Sequence, residues 1–386
     1  MAIAFQLAWR QLRHEPRKLL AGIAGVVFSV VLMFMQIGFR DALFVCAAGI
    51  QSHLAGDLFI IRRQSDNVGL VFMSQFPRRR VQQALAVPEV QSATELYVGV
   101  AQWKSPWTAR TRGILVLGID PAVGALELPG VREHLDTIRL KDSVLFDGRS
   151  RREYGPVAAT VKAHGPITVE INSRRTKVEG LFQLGGSFAT DGNLITSDLN
   201  FLRLFPSHNA SQVSVGILGL KPGADRRVAQ AAVARLLPPD VAVMTRDEFV
   251  KQEHDYWDQA TPIGFIFNTA MVIAFLVGIV VVHQILYAEI STHLAQYATL
   301  KAMGYTQRFM LGIVTGASLI LGLLGFVPGW AASLGLYHLT ASSTGLPMTL
   351  GVGKTTLVLL LTMTMCLVSG SLAMRRLRAA NPADMF

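Results

Sequence analysis

Two cysteines, Cys46 and Cys366, are the only thiols in 386 residues. One stands just beyond a long apolar run and the other inside another run, so no structural disulfide is expected. Charge is scarce too: 16% of residues are Asp, Glu, Lys or Arg, against 51% hydrophobic. That balance excludes an ordinary soluble domain of this size and calls for membrane spans. Acidic residues are the scarcer sign, 26 against 36 Lys and Arg, leaving a formal net charge of +10. The excess is divided between the flanks of apolar runs and the long segment between them. It contains no basic-aromatic block, so nucleic-acid binding is not the reading.

Catalytic signatures are missing as well. His14-Glu15 has no second His at zinc-protease spacing, and Gly185-Gly186-Ser187 is not a nucleophile elbow. Gly351-Val-Gly-Lys-Thr-Thr looks like a phosphate loop, but Met348 stands where that loop needs glycine. His283, inside an apolar run, reads as a structural or interfacial histidine rather than a proton relay. Glu253-His254-Asp255 reads as a solvated charge cluster. No nucleophile–base pair or metal cluster emerges, so the chain is expected not to be an enzyme and to bind no cofactor or metal itself.

What is present is apolar length. Leu19–Phe39, Ile263–Ile285, Phe309–Leu336 and Thr355–Met374 each qualify as a span; the first reaches about 31 Å as a helix. The first run is too long for a signal peptide, and Arg40-Asp41 follow it. The fold class expected is a membrane protein with four transmembrane α-helices. A large mixed α/β extracytoplasmic domain is inserted between helices one and two. The segments are 1–18, 19–39 (first span), 40–262 (outer domain), 263–288 (second span), 289–308, 309–337 (third span), 338–354 (short outer loop), 355–374 (fourth span) and 375–386.

Positive charge near the span ends sets orientation. Arg10, Arg13, Arg17 and Lys18 precede the first span, Lys301 and Arg308 lie between the second and third, and Arg375, Arg376 and Arg378 follow the fourth. Both termini are therefore expected in the cytoplasm, with 40–262 outside. Residues 1–18 read either as an amphipathic helix on the inner membrane face, with Phe5, Ala8, Trp9 and Leu12 on one side, or as a simple positive flank.

In 40–262, alternation marks strands at Ser92–Trp103, Gly113–Ile119, Ala158–Lys162, Ile167–Gln183 (broken by Asn172-Ser173), Gln212–Leu220 and Val241–Thr245. A helix is expected over Ala224–Leu237. The βαβ order at the tail predicts one small subdomain completed by strands from the start of the segment. A second, more β-rich subdomain, about 130–205, is inserted into it. In the third span, Gly312/Gly316 and Gly325/Gly329 recur at four-residue spacing, which lets helices approach closely. Packing within one chain is favoured over dimerisation for these pairs.

The polar stretch Glu289–Gln307 between the second and third runs is patterned as a helix. Ile290, Leu294 and Tyr297 form one stripe; Glu289, Thr292, His293, Gln296 and Thr299 decorate the other sides; Lys301 extends the stripe with its stem. Gly304 is placed as a left-handed C-terminal cap. Membrane-surface helices carry several Lys or Arg and this one carries one, so docking into a partner protein is the better reading.

Ala295-Gln-Tyr-Ala-Thr-Leu-Lys-Ala-Met-Gly-Tyr, with Leu300 and Met303 in its apolar part, resembles the coupling signature of FtsX/MacB-type ABC transporter permeases. Met33-Phe-Met-Gln-Ile-Gly-Phe-Arg-Asp-Ala-Leu-Phe, Leu145-Phe-Asp-Gly-Arg-Ser-Arg-Arg-Glu-Tyr-Gly-Pro, Gly185-Gly-Ser-Phe-Ala-Thr-Asp-Gly-Asn, Thr261-Pro-Ile-Gly-Phe-Ile-Phe and Asn381-Pro-Ala-Asp-Met-Phe are similar to the DevC group within it. The resemblance implies a homodimer in the bacterial inner membrane with a separate cytoplasmic ABC ATPase (DevA-like), which holds ATP and Mg²⁺. It further implies a two-lobed periplasmic domain, a membrane-fusion adaptor (DevB-like) and a TolC-like outer-membrane channel. ATP-driven motion would then expel cargo, a glycolipid by analogy with DevC. Relatives commonly carry Glu where Gln296 stands, so the polar detail of docking differs here. The rival readings are a transmembrane sensor with an outer ligand domain and a membrane-embedded enzyme.

Overall fold

The computed structural model describes the chain except residues 1–5, 8, 11–15, 64–73, 187–189, 261, 294, 295, 298, 301, 302, 345 and 380–386. The chain divides into two compact units, Met1–Ala42 with Ile263–Phe386, and Leu43–Pro262.

The first unit is built on four helices long and apolar enough to cross a membrane: α1 (Pro16–Ala47), α2 (Pro262–Thr292), α3 (Gln307–Thr344) and α4 (Val352–Ala379). Each outruns the apolar run that announces it. Apolarity measures the stretch that lipid or neighbours must cover, whereas helical hydrogen bonding continues through polar residues such as Arg40 and Asp41. At 32 residues α1 is about 48 Å long, well beyond a hydrocarbon core.

Small residues bring these helices together. A Cβ added at Gly325 of α3 would lie 2.5 Å from Val26 Cβ on α1, and one at Gly329 would lie 2.9 Å from Val30 Cβ. Gly325 and Gly329 therefore serve packing inside the chain. Gly316 is buried in α3 and Gly312 is half-buried. Hydroxyls in this apolar setting are satisfied by main-chain carbonyls: Ser29 donates to Gly25 O, Ser333 to Gly329 O, and Thr362 to Val358 O. Ser369 Oγ lies 2.9 Å from Ile279 O on α2 as well as 2.8 Å from Met365 O, so one hydroxyl joins two helices. α3 runs on through Pro328.

The second unit is organised by one nine-stranded sheet. Its strands are β1 (Leu58–Arg62), β3 (Val90–Lys104), β4 (Thr111–Ile119), β5 (Ser143–Asp147), β6 (Ile167–Ile171), β7 (Arg174–Phe182), β8 (Asn193–Ser197), β10 (Val215–Leu220) and β11 (Val241–Thr245). Short β2 (Phe76–Pro77) and β9 (Gln212–Val213) pair separately. The order is β11-β1-β10-β3-β4-β8-β5-β7-β6, and β6 also pairs with β3. β3 is long enough to serve two lobes. Its residues Val90–Leu96 pair with β10; Leu96–Lys104 pair with β4, and Trp103 and Lys104 also pair with β6.

The first lobe follows β1, helix Arg79–Ala84, β3, β10, helix Arg226–Leu236, β11, a split βαβ arrangement. The second lobe is the closed ring β3-β4-β8-β5-β7-β6, which leaves no free sheet edge. The two subdomains expected from the sequence are thus lobes of a single sheet that share a strand. Ala158–Lys162, expected as a strand, lies in the helix Val157–His164. Val157 and Val161 are four apart on one helical face, Thr160 donates to Pro156 O, and Gly165 ends the helix with φ +81°. Asn172 and Ser173, with φ of 47° and 61°, form the tight turn that joins β6 to β7.

Candidate functional site

Expected as a separate helix from Glu289, the segment between α2 and α3 begins instead as the last turn of α2. Nothing in Glu289–Thr292 breaks the α2 helix, and two residues there find buried partners. Ile290 is 2% exposed and joins the core cluster that contains Leu286 and Val282, one and two turns earlier. Glu289 is 7% exposed, and its Oε1 lies 3.4 Å from His293 Nε2, four residues on. Lys18 of α1 donates to the Thr292 hydroxyl at 2.9 Å, and that hydroxyl donates to Ala288 O. The end of α2 is thereby tied to the start of α1.

Beyond Thr292 the chain turns at His293 and regains helical hydrogen bonding, with Tyr297 N bonded to His293 O and Met303 N to Thr299 O. Tyr297 is 5% exposed, in the same core cluster as Ile290, Met310 and Ile313. Leu300 is half-buried against that cluster. Gly304 has φ +90°, and Tyr305 N bonds to Leu300 O, the six-to-one closure of a Schellman cap. The cap frees the chain to start α3 at Gln307.

Ile290 and Tyr297, read from periodicity as anchors for a partner, are buried in a core cluster of their own unit together with Met310 and Ile313 of α3. Leu294 and Lys301 lie outside the described residues. The side presented outward carries Gln296, Thr299, Met303 and Tyr305, with Met303 62% exposed. Tyr305 packs on Phe309 with ring centroids 4.8 Å apart, which stiffens the exit from the cap. A cavity of about 250 Å³ runs beside this segment, lined by Leu7, Arg10, His293, Gln296, Tyr297, Leu300 and Ile313. Residues 6, 7, 9 and 10 are helical, with Leu7 and Trp9 about four-tenths exposed. The Glu289–His293 pair escaped the sequence reading, although carboxylate and imidazole four apart on a helix are its signal.

Among the described residues no cluster of metal-ligating side chains occurs. The site is an ordered turn, with Ile290 and Tyr297 buried and Gln296, Thr299, Met303 and Tyr305 exposed.

Comparison with known proteins finds similarity in both parts of the chain. Residues 268–382, which contain most of α2, the turn, α3 and α4, match the FtsX-like permease C-terminal family. An uncharacterised ABC transporter permease of Mycobacterium tuberculosis, in strains CDC 1551 / Oshkosh and H37Rv, is 24% identical over 332 residues, covering 83% of each chain. The periplasmic region of MacB from Actinobacillus actinomycetemcomitans is similar at 14% identity and a TM-score of 0.35, over 52% of this chain and 94% of that one. The extracellular domain of the ABC-type transporter YknZ from Gram-positive bacteria gives 13% identity and a TM-score of 0.33, over 49% and 99%. Residues 268–382 thus carry the match to the FtsX-like permease C-terminal family, on a chain with four helices long and apolar enough to cross a membrane and a large α/β unit between the first two.

Proposed function

We propose that this permease transmits ATP-driven motion from a separate cytoplasmic ATPase to residues 43–262, which expel cargo. The observation that carries the reading is the turn between α2 and α3. It presents Gln296, Thr299, Met303 and Tyr305 outward while Ile290 and Tyr297 are locked into the core of the helical unit. A load applied to such a turn moves α2, because the buried anchors cannot shift independently of the helix. A turn without inward anchors would deform and transmit nothing.

In this reading the termini are cytoplasmic, the membrane is the bacterial inner membrane, and two copies work together with one ATPase each. ATP and Mg²⁺ are held by the ATPase, and this chain catalyses nothing itself. Motion enters at 289–304 and leaves along α1 and α2. The resemblance to DevC supports an adaptor, a TolC-like channel and a glycolipid-type cargo. The FtsX-like match over 268–382 supports export over the sensor reading, since it includes α3 and α4, which a two-span sensor has no use for. Co-expression with candidate ABC ATPases, followed by affinity capture and ATP hydrolysis in nanodiscs, tests the proposal. Stable capture and permease-dependent turnover are expected; failure of any ATPase to bind would overturn it.

A further inference from the structure

Two segments singled out along the sequence, 145–156 and 185–193, meet the β3–β4 hairpin at one end of the closed-ring lobe. The Tyr154 side chain is 1% exposed, and its hydroxyl donates to Gly113 O near the start of β4, 2.6 Å away. The Arg151 N–H donates to Asp191 O and the Leu115 N–H to Gly192 O, both at 3.0 Å. The hairpin closes with the Ser105 N–H on Arg110 O. Its Trp107 ring lies over Gly155, where φ is +100° and a Cβ would come within 2.5 Å of the ring. The hairpin and the two loops are thereby held as one surface.

That surface carries arginine in excess. Arg110 and Arg112 come from the hairpin, and Arg149, Arg151 and Arg152 from the loop after β5; all five are exposed. The carboxylates among them are Asp191, 3.1 Å from Arg151 Nε, exposed Glu153, and Asp147, buried beneath. Five arginines against three carboxylates leave an excess of two positive charges. Lys104 at the end of β3 is matched by Glu170 at 2.9 Å and does not alter the balance. Burial pushes the Tyr154 hydroxyl up to about 12, and Asp191, Arg112, Arg151 and Glu153 each act on it, so charges from hairpin and loops share one neighbourhood.

The side-chain types decide the ligand class. Each unmatched cation is a guanidinium, a fork that pairs with a carboxylate in fixed geometry, whereas a diffuse polyanion is held as well by lysine. Arg151 is oriented by Asp191, and Arg149 Nε donates to Gln183 Oε1 at 3.0 Å, an arrangement that suits discrete carboxylates. Trp107, 43% exposed among them, offers apolar area to a neighbouring side chain. Tryptophan beside arginine is the composition of protein–protein hot spots. We propose that this surface docks an acidic segment of another protein, with carboxylates on Arg110, Arg112 and Arg152 and an apolar side chain on Trp107. The proposal concerns the unit Leu43–Pro262 alone and does not rest on the ATPase reading.

The test uses the full chain in the membrane of its native host, with photoreactive p-benzoylphenylalanine in place of Thr108, an exposed residue next to Trp107. Illumination is followed by mass-spectrometric mapping of the adduct. The adduct is expected on another protein, in a run with about two or more Asp or Glu, enough to match the excess. Arg110→Glu combined with Arg112→Glu is expected to lower its yield about tenfold, and Arg152→Glu on the separate loop several-fold. Arg235→Glu, on an exposed position of the helix Arg226–Leu236, is expected to change nothing. No adduct beyond this chain, an adduct on lipid or glycan, or one on a protein segment without acidic residues would overturn the proposal without reference to any variant. So would an undiminished yield in charge-reversed chains that melt normally.

Discussion

The Tyr337 hydroxyl of α3 donates to the main-chain carbonyl of Phe34 on α1, passing directly over Gly38. Any Cβ at residue 38 would collide with that hydroxyl. Tyr337 is 3% exposed, so the bond is made away from solvent, where a lost partner is not replaced by water. Tyr337→Phe should cost about 1 kcal/mol and lower the melting temperature of the detergent-solubilised chain by a few degrees. Gly38→Ala should cost more, because the ring itself must move, and combining it with Tyr337→Phe should relieve part of that cost.

Gly325 and Gly329 set how closely α3 approaches α1. Leucine at position 325 would drive its side chain into Val26 and force the helices apart. We expect Gly325→Leu to destabilise the helical unit by about 1–3 kcal/mol, read as a lower thermal midpoint. At the exposed Gly335 an added Cβ would meet nothing within 4 Å outside its own helix turn, so alanine should be accepted without loss.

Asp147 is fully buried at the end of β5. Its carboxylate accepts from the N–H groups of Arg149, Leu184 and Gly185 and from Asn193 Nδ2, at 2.8–3.1 Å. One side chain thereby holds the loop after β5, the chain leaving β7 and the start of β8. Asp147→Ala would leave several buried donors unsatisfied, at about 3 kcal/mol or more. Limited proteolysis should then cut near residue 185 in the variant and not in the native chain.

Glu248 closes a capping box with Thr245 at the start of the helix Arg246–Asp255. Its bond from the Thr245 N–H, followed by those from Gln230 and the Thr245 side chain, holds its pKa below the ordinary 4.5. A carboxylate depressed in the fold stabilises it fully above the unfolded value. That contribution is lost as pH falls from about 4.5 through the folded value. The helix should therefore loosen on acidification, seen as faster amide exchange over 246–250. Glu248→Gln should remove that pH dependence, whereas Thr245→Ala, which keeps the backbone N–H, should reduce it only in part.

Much of this architecture was legible along the chain, and the parts that were not share a cause. The four spans, the hairpin turn at Asn172-Ser173 and the cap at Gly304 depend on local apolar length or on a positive φ. Neighbouring residues decide such features. The shared strand β3 does not: Val90–Leu96 pair with β10, more than a hundred residues away, and local alternation carries no record of that partner. Ala158–Lys162 reads as strand because β-branched Thr160 and Val161 fall within it, yet Pro156 and Gly165 bracket a single short helix. In the turn between α2 and α3, periodicity puts Ile290 and Tyr297 on one stripe but carries no record of what covers it. Both lie in a core cluster with Met310 and Ile313 of α3, which are distant along the chain from Ile290. The Thr245–Glu248 box was readable from its spacing and went unread.

Capture of the ATPase by the full permease tests the central claim most directly, with Met303→Asp compared against the native chain at equal membrane abundance. Met303 is 62% exposed and makes no part of the helical core, so the variant should fold and melt normally. If the outward side of the turn is the docking surface, Met303→Asp should lower ATPase retention at least about tenfold and export with it. Undiminished capture and export by a normally folded Met303→Asp chain would contradict the account.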